Sequence, residues 1–449
     1  MTTIDPMLLA MLVSVAMMAL VISFRYPFAF ATLIIVLNER FFGIVPSKFG
    51  DYELVRGLAG PGLLAAAILL QFLFRPGRFR SGLNRGMGSY LPFVIAILAN
   101  VAISTLWGGQ IYNQTLRSIV FQPIVFSYYF LYLYLCFFAP DKQQIARFLG
   151  FMVIVALAVS TLMLIDARVF HEARLLKYAV SSERVGLVRI LVYITGIIWA
   201  YFYSLAVADE EQCPPSRKIM YGASAFFLLF TIIFTLLSRQ IMASCFLATA
   251  VAALSMKPLK QLVVAWVMAL FILVIVADPD FSFEKTALGS LAKITSSEAK
   301  TKDSGIGIRF KALEFYYPHF KKTYGLGFGV LGSRREYRNP ASQGLIQGYN
   351  LNDLSLAGII FRFGIPGLLL IIVTAWKMFR DTGKIIKSHD PAFRSIARGI
   401  RYTVMNFVII FPLTTFLYYG ENAVYFALMF FLVERLRTLV SDEAAGAEA

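Results

Sequence analysis

The sequence predicts an all-α fold, a polytopic bundle of about 12–14 membrane-spanning helices with one long hydrophilic loop. Of its 449 residues, 58% are hydrophobic and only 15% are charged, whereas an ordinary soluble domain is about 25% charged. The mean hydropathy is +0.69, and the apolar runs are close to the roughly 20 residues that a transmembrane helix requires. This composition excludes a disordered protein and disfavours a soluble enzyme.

Thirteen apolar runs, separated by charged or Pro/Gly-rich breaks, are the candidate spans. They lie at 7–24, 27–46, 57–74, 90–107, 118–138, 146–165, 187–207, 218–237, 240–255, 261–277, 354–376, 402–419 and 422–438. The chain therefore divides into spans with short loops (1–277), a long, partly helical loop (278–352), C-terminal spans (353–440) and a disordered tail (441–449). The sequence predicts neither internal repeats nor broken helices near the midplane, the features that accompany alternating-access transporters.

Short basic loops predict the orientation, because Lys and Arg collect on the cytoplasmic loops of membrane proteins. The basic loops at 75–85, 257–260 and 377–401 are separated by even numbers of predicted crossings, so they face the same side. Segments that lie an odd number of predicted crossings away from these loops are expected on the exoplasmic side. They are 108–117, 166–186, 238–240 and 278–352. The basic residues of these loops contribute to the net charge of +16. Because the orientation of the chain in the membrane explains them, no nucleic acid partner is expected.

The loop at 278–352 is the one sizeable hydrophilic region of the sequence. It carries eleven basic side chains against seven acidic ones, together with several Tyr and Phe residues. A cationic, aromatic loop on the exoplasmic side suits an anionic ligand, and a solvated cover without a ligand is the alternative. Its glycine-rich segment 325–329 lacks the flanking strand and helix of a dinucleotide site, so it predicts a tight return toward the membrane.

Four arginines lie on the exoplasmic side, apart from the cytoplasmic set. Arg184 and Arg189 flank the start of the seventh apolar run, and Arg239 lies in a short turn between two runs. Arg309 begins an amphipathic stretch of the long loop. Each of them, taken singly, is explained by snorkelling to the membrane interface. Because a guanidinium is always charged and binds phosphate through two parallel hydrogen bonds, the four together predict a phosphate or diphosphate site.

Asp353 is the acidic candidate. It opens the run at 354–376, where a carboxylate can cap the helix N-terminus or act as a general base at the edge of a cavity. Arg362 lies about 13 Å deeper, on the opposite side of the same helix, and Glu421 is a candidate partner for it. The cysteines and histidines lack metal-ligand spacing, so no metal or other cofactor is expected. For His319, acid–base work and aromatic packing both stay open.

The segment that carries Arg309 and Asp353 resembles a known family. An arginine on the long loop, a Gly-x-Gly-Phe-Gly turn at 325–329 and the Gly-x-x-Gly run at 364–367 resemble the signature region of the O-antigen polymerase and ligase superfamily. These are the Wzy-type integral membrane glycosyltransferases. The Ser-Arg pair that ends at Arg239 is similar to the family's Ser-Arg between two spans. Arg184 likewise matches an arginine that precedes a span after an earlier periplasmic loop.

The resemblance implies a polysaccharide polymerase that joins polyprenyl-diphosphate-linked oligosaccharide repeats at the periplasmic face of a bacterial inner membrane. It implies catalytic roles for Asp353, Arg309 and Arg239. The implied diphosphate ligands are Arg184, Arg189, Arg239 and Arg309. Besides the lipid bilayer and the lipid-linked glycan, a flippase and chain-length regulator proteins are the implied partners. The ligases of the family, and many of its polymerases, carry a His-Asn pair where this chain has Asp353 and Leu354. An Asp at this position is similar to the capsular and exopolysaccharide polymerases, which favours a polymerase; a ligase, or a lipid-linked glycan transporter or flippase, is the alternative.

Overall fold

The computed structural model describes residues 6–43, 59–84, 88–114, 116–121, 123–168, 176, 180–184, 187–235, 239–258, 260–262, 264–266, 305–330, 354–410 and 420–448. Its N-terminal helices are α1 (Pro6–Arg25), α2 (Pro27–Asn38), α3 (Gly60–Phe74), α4 (Pro76–Asn84), α5 (Leu91–Ile111), α6 (Leu116–Phe121), α7 (Phe130–Leu135) and α8 (Lys142–Arg168). An antiparallel hairpin follows, with strands β1 (Val180–Arg184) and β2 (Leu187–Leu191). The later helices are α9 (Ile194–Asp209), α10 (Pro215–Phe234), α11 (Arg239–Leu254), α12 (Gly305–Lys322), α13 (Ser355–Ile385), α14 (Pro391–Ile410) and α15 (Ala423–Glu448).

Four of the described helices are long and apolar enough to cross a membrane. They are α5, α8, α10 and α13, over Leu91–Ile111, Lys142–Ala167, Pro215–Phe234 and Leu356–Ile385. Shorter apolar helices, among them α2, α3, α9 and α11, accompany them. The predicted all-α class is confirmed, with the small hairpin as its exception, and these helices fit a membrane protein. The number of crossings and the side that each end faces stay predictions.

Helices α9 and α15 form the interior of the bundle. α9 packs against α10 on one side and α14 on another, and nearly all of its residues from Thr195 to Val207 are buried. The first half of α15, from Ala423 to Val433, is also buried. A helix that is apolar on all sides belongs in the interior, and the sequences of both segments have this character.

One end of the bundle is held together by charged side chains, and we call it the ion-pair end. It lies where α9 ends and α14 begins. Arg394 Nη2 is 2.5 Å from Glu210 Oε1, and Lys260 Nζ is 2.8 Å from Asp209 Oδ1. A cavity of about 340 Å³ lies between these groups. Two of the three predicted basic loops, 257–260 and 377–401, therefore meet at one end.

Several predicted spans differ from the observed elements. The run at 187–207 becomes helical only from Ile194, since a short apolar run fits a strand as well as a helix and its first residues form β2. The run at 27–46 ends its α-helix at Asn38, where polar residues interrupt it. α15 continues to Glu448, into the tail for which disorder is predicted, because Ala and Glu favour the helix.

The predicted run at 118–138 is divided into three short pieces. α6 ends at Phe121, a 3₁₀ turn covers Pro123–Tyr129, and α7 follows. Proline has no N–H to donate and its ring clashes with the preceding turn, so Pro123 favours an interruption of the helix here. Residues 267–277 and 411–419, which belong to two further predicted runs, lie outside the described part of the chain.

Candidate functional site

The end of the bundle opposite the ion-pair end holds the hairpin, the corner between α10 and α11, and the turn after α12. We call it the arginine end, because the hairpin carries Arg184 and Arg189, the corner carries Arg239, and α12, which leads into the turn, carries Arg309. In the hairpin, Arg184 pairs with Leu187 and Ser182 pairs with Arg189. Paired residues share a face of the ladder, and so do alternate residues of one strand. The two arginine positions are therefore diagonal neighbours on one face.

A backbone hydrogen bond fastens the hairpin to the corner that carries Arg239. The N–H of Ile190 in β2 donates to the carbonyl of Thr235 at 3.2 Å. Thr235 caps the C-terminus of α10, and α11 begins four residues later at Arg239. Four extended residues span at most about 14 Å, so the backbone of Arg239 lies within that distance of Thr235. Two segments that are far apart in the sequence therefore meet.

The glycine-rich turn after α12 inserts between α5 and α13. Its three glycines, within 325–329, have φ values of 80°, 80° and 69°, a region that glycine enters readily and other residues rarely adopt. The N–H of Phe328 donates to the carbonyl of Phe361 at 2.9 Å, and the N–H of Gly329 donates to that of Arg362 at 2.6 Å. The turn is thus bonded along the backbone of α13.

The turn fits between α5 and α13 because glycine has no side chain. A Cβ on Gly327 would lie 2.3 Å from the carbonyl oxygen of Arg362, and one on Gly329 would lie 2.2 Å from the Cα of Thr105. On α5, a Cβ on Gly108 would lie 2.1 Å from a carbonyl oxygen of the turn. Thr105 is six residues before the end of α5, so the turn reaches about 9 Å below that end at 1.5 Å per residue.

The turn also occupies a break in α13, which corrects the expectation that the chain has no broken helix. Gly364 has φ 72° and ψ −174°, values that interrupt the helix. Next to it, the N–H of Ile365 donates to the carbonyl of Gly325 at 3.0 Å. The carbonyl of Phe363 accepts Nδ2 of Asn100 on α5 at 3.1 Å. These partners satisfy the backbone groups that the break releases, as an apolar surrounding requires.

Aromatic packing docks α12 on the ends of α5 and α13. Tyr316 and Phe328 are buried in this cluster, and the hydroxyl of Tyr112 donates to the carbonyl of His319 at 3.1 Å. Burial, reinforced by the charge of Lys322, lowers the pKa of His319 and so favours its neutral form. His319 packs against the rings of Tyr112 and Phe315 at this contact, and its acid–base role stays a prediction.

Arg309 is the fifth residue of α12, so the docked turn anchors the helix that carries it. The side chains of Arg184, Arg189, Arg239 and Arg309 lie outside the described part of the structure. The whole of Asp353 lies outside it as well, and the first described residue after it, Leu354, precedes α13. Its two roles, helix cap and general base, therefore both stay predictions. The side chain of Glu421, proposed as a partner of Arg362, is likewise not described.

Glu39 is a carboxylate at the arginine end that sequence reasoning missed. Its Oε1 accepts the hydroxyl of Tyr425 at 2.6 Å, and its Oε2 accepts the backbone N–H of Tyr193 at 3.1 Å. Glu39 lies within the apolar run at 27–46. An ionisable residue inside such a run is a functional hypothesis by default, and that signal could have found it.

Comparisons with known proteins do not add a family. No family model matches the chain, and a search of curated proteins finds no match either. The resemblance to the O-antigen polymerase and ligase superfamily stays a prediction that rests on the residues named above.

Proposed function

We propose that the protein is a polysaccharide polymerase that joins polyprenyl-diphosphate-linked oligosaccharide repeats at the periplasmic face of the bacterial inner membrane. One observation supports this most. The hydrogen bond from Ile190 to Thr235 joins the hairpin of Arg184 and Arg189 to the corner of Arg239. A diphosphate carries several anionic oxygens and binds guanidinium groups from more than one direction, so arginines on converging segments suit it.

In the proposed reaction, a hydroxyl of one lipid-linked repeat attacks C1 of the sugar that is attached to the diphosphate of another. A new glycosidic C–O bond forms, the bond between C1 and the diphosphate oxygen breaks, and polyprenyl diphosphate leaves. The hydroxyl proton passes to a base, for which we propose Asp353. Arginines stabilise the negative charge that develops on the leaving diphosphate. The donor is already activated by its diphosphate, so the reaction consumes no nucleotide.

Exposed aromatic rings near the glycine turn support a glycan as substrate. Tyr317 on α12 is 53% exposed and Tyr324, directly before the turn, is 85% exposed. Lys321 Nζ lies 4.6 Å from the centre of the Tyr317 ring. An exposed ring offers an apolar face to the C–H groups of a sugar, and its hydroxyl keeps a polar tip in water. The proposed acceptor chain lies across these rings.

One observation favours a second candidate, a transporter or flippase for the same lipid-linked glycan. Discontinuous helices line the substrate sites of many transporters, and α13 is broken at Gly364. In this chain, however, the glycine turn fills the break and bonds the backbone on both sides of it, at Arg362 and Ile365. A break that is filled by the protein itself favours a fixed scaffold, so we retain the polymerase as the proposed function.

The deciding experiment incubates the purified full-length protein in lipid nanodiscs with a synthetic polyprenyl-diphosphate oligosaccharide of one repeat. A ladder of longer products supports the polymerase. A single transfer that requires an added acceptor supports a ligase. No covalent product, together with movement of the glycan across vesicles that contain the protein, supports a transporter.

The matched control uses the same repeat without the acceptor hydroxyl at its non-reducing end. A polymerase then forms no ladder, because the blocked repeat can donate but cannot accept. A ladder from the blocked repeat would contradict the proposed direction of transfer.

A further inference from the structure

The carboxylate of Glu39 joins three elements of the arginine end. Glu39 follows the last residue of α2, and it contacts the starts of two other helices. It accepts the N–H of Tyr193, which precedes α9, and the hydroxyl of Tyr425, near the start of α15. Both tyrosines are fully buried. A hydrogen bond to a charged group is worth more than a neutral one, most of all where water is excluded.

The N-terminus of α9 gives the physical reason for this carboxylate. The first N–H groups of a helix have no partner within the helix, and they form the positive end of its dipole. α9 has no acidic residue in its first turn, and the side chain of Tyr193 makes no capping hydrogen bond. Glu39 thus provides, from a neighbouring helix, the negative cap that the sequence of α9 lacks.

Tyr193 also turns the chain sharply at this point. Its φ is +54°, which is uncommon for a bulky residue and costs free energy. Its ring lies over Gly196, where a Cβ would come 2.2 Å from the ring. Because β2 ends two residues earlier, at Leu191, the direction of the hairpin depends on the backbone of Tyr193. The bond to Glu39 holds that backbone in place.

We propose that Glu39 is a positioning residue, which caps α9 and thereby holds the hairpin of Arg184 and Arg189 in the geometry that binds a sugar diphosphate. The substrate in this proposal rests on the proposed function. β2 is then fastened twice, through Ile190 to α10 and through Tyr193, two residues after its end, to Glu39 at the end of α2. Without the hydrogen bond between Glu39 and Tyr193, we expect β1 and β2 to stay paired, whereas the hairpin loses its fixed orientation relative to α9.

The ion-pair end holds a carboxylate of the same kind, which serves as a matched control. Glu434 on α15 accepts the backbone N–H of Ser89, just before α5, and the hydroxyl of Tyr132. Like Glu39, it joins a backbone N–H before a helix to one tyrosine hydroxyl. Because Glu434 lies at the other end of the bundle, its loss removes a helix cap without touching the hairpin.

The first measurement is amide hydrogen exchange of the full-length protein in nanodiscs, read by mass spectrometry. In Glu39→Ala we expect the segment 187–197 to exchange about tenfold faster or more, as the loss of one hydrogen bond to a charged group predicts. Glu39→Gln keeps an acceptor for Tyr193 and stays within about threefold of the wild type. Glu434→Ala accelerates exchange at 88–96 and leaves 187–197 unchanged.

The second measurement separates positioning from general structural damage. In Glu39→Ala the KM for the synthetic polyprenyl-diphosphate oligosaccharide rises about tenfold while kcat stays within about threefold, because binding of the diphosphate is lost in ground and transition states alike. Glu39→Gln restores the KM. A purely structural residue would lower the amount of active protein and leave the KM of the remainder unchanged.

Unchanged exchange at 187–197 in Glu39→Ala overturns the proposal. The positioning role is also contradicted if Glu39→Gln loses as much kcat as Glu39→Ala. Glu39 would then take part in transferring the proton of the acceptor hydroxyl. If Glu39→Ala does not fold, Tyr425→Phe removes a single hydroxyl and must still accelerate exchange at 187–197. A wild type that forms no glycan product, beside accelerated exchange in Glu39→Ala, contradicts the proposed function alone and supports the positioning of the hairpin.

Discussion

The two ends of the bundle use carboxylates in different ways. At the ion-pair end several carboxylates contact cations, as in the pairs of Glu210 with Arg394 and of Asp390 with Lys142, while Glu434 accepts a backbone N–H and a tyrosine hydroxyl. At the arginine end, the described hydrogen bonds of Glu39 go to a backbone N–H and a tyrosine hydroxyl. Ion pairs at the first end join helices to one another, whereas the role that we propose for Glu39 at the second end is to orient a strand that carries arginines.

The largest expected effect comes from removing arginines at the arginine end. We expect Arg239→Ala and Arg309→Ala each to reduce polymer formation at least about a hundredfold, as the loss of one donor to a developing negative charge does. Arg380→Ala is the matched control at the ion-pair end, since that side chain is half exposed and its guanidinium stacks 4.9 Å from the ring of Trp376. Polymer lengths on gels of purified, membrane-inserted variants provide the measurement.

If Arg239→Ala and Arg309→Ala both make polymer of wild-type length, the arginines of the arginine end are not needed for polymer formation, and the proposed difference between the ends is wrong. It also fails if Arg380→Ala loses polymer as completely as Arg239→Ala does, because the effect would then follow the removal of any arginine. Membrane insertion, measured by the amount of folded protein after detergent extraction, must be equal in all three variants for the comparison to hold.

The second effect tests how the glycine turn anchors α12. In Gly329→Ala the new Cβ would meet the backbone of α5 at 2.2 Å, and the residue would keep an unfavourable positive φ, so the turn has to leave its slot. We expect faster amide exchange across 311–322 and a polymer yield as low as that of Arg309→Ala. Gly62→Ala on α3 is the control, because its Cβ would meet nothing within 4 Å. A Gly329→Ala protein with wild-type exchange would show that α12 docks without the turn.

The sequence predicts the long helices well and the contacts between distant segments poorly. The run at 218–237 appears as α10 within three residues, because its apolar length alone defines it. The break at Gly364 and the depth of the turn depend on backbone contacts between α5, α12 and α13, which no local pattern encodes. The same is true of the bond from Ile190 to Thr235. Local composition predicts the elements, whereas the site depends on where their ends meet.

The third effect concerns stability at the ion-pair end and leaves the chemistry unchanged. Arg394→Ala leaves Glu210, which is only 3% exposed, without its main partner, and we expect a loss of about 2 kcal/mol in the free energy of unfolding. Polymer length stays that of the wild type. Thermal unfolding of Arg394→Ala, Glu210→Ala and the double variant measures the coupling between the two side chains. Additive losses would mean that the pair contributes nothing.

The same pair predicts a dependence on pH. Burial raises the pKa of Glu210, but the hydrogen bond and charge of Arg394 outweigh burial and lower it overall from 4.5. A group with a lowered pKa stabilises the fold above its ordinary pKa and loses that contribution as the pH falls through the folded value. Acidification below about pH 4.5 therefore reduces the difference in stability between the wild type and Arg394→Ala.

The smallest effect is expected where α12 docks. Burial and Lys322 lower the pKa of His319 below 6.5, so the docked helix favours the neutral imidazole. The contribution of His319 to stability is therefore complete above pH 6.5 and decreases as the pH falls below it, since the undocked histidine binds a proton more readily.

We expect Tm to fall between about pH 7.5 and pH 5.5 in the wild type, and to fall less in His319→Asn. Tyr112→Phe, which removes the hydroxyl 3.5 Å from Nδ1 but keeps the imidazole, should retain the pH dependence at a lower Tm. An equal fall in wild type and His319→Asn would assign the acid sensitivity to groups outside this contact.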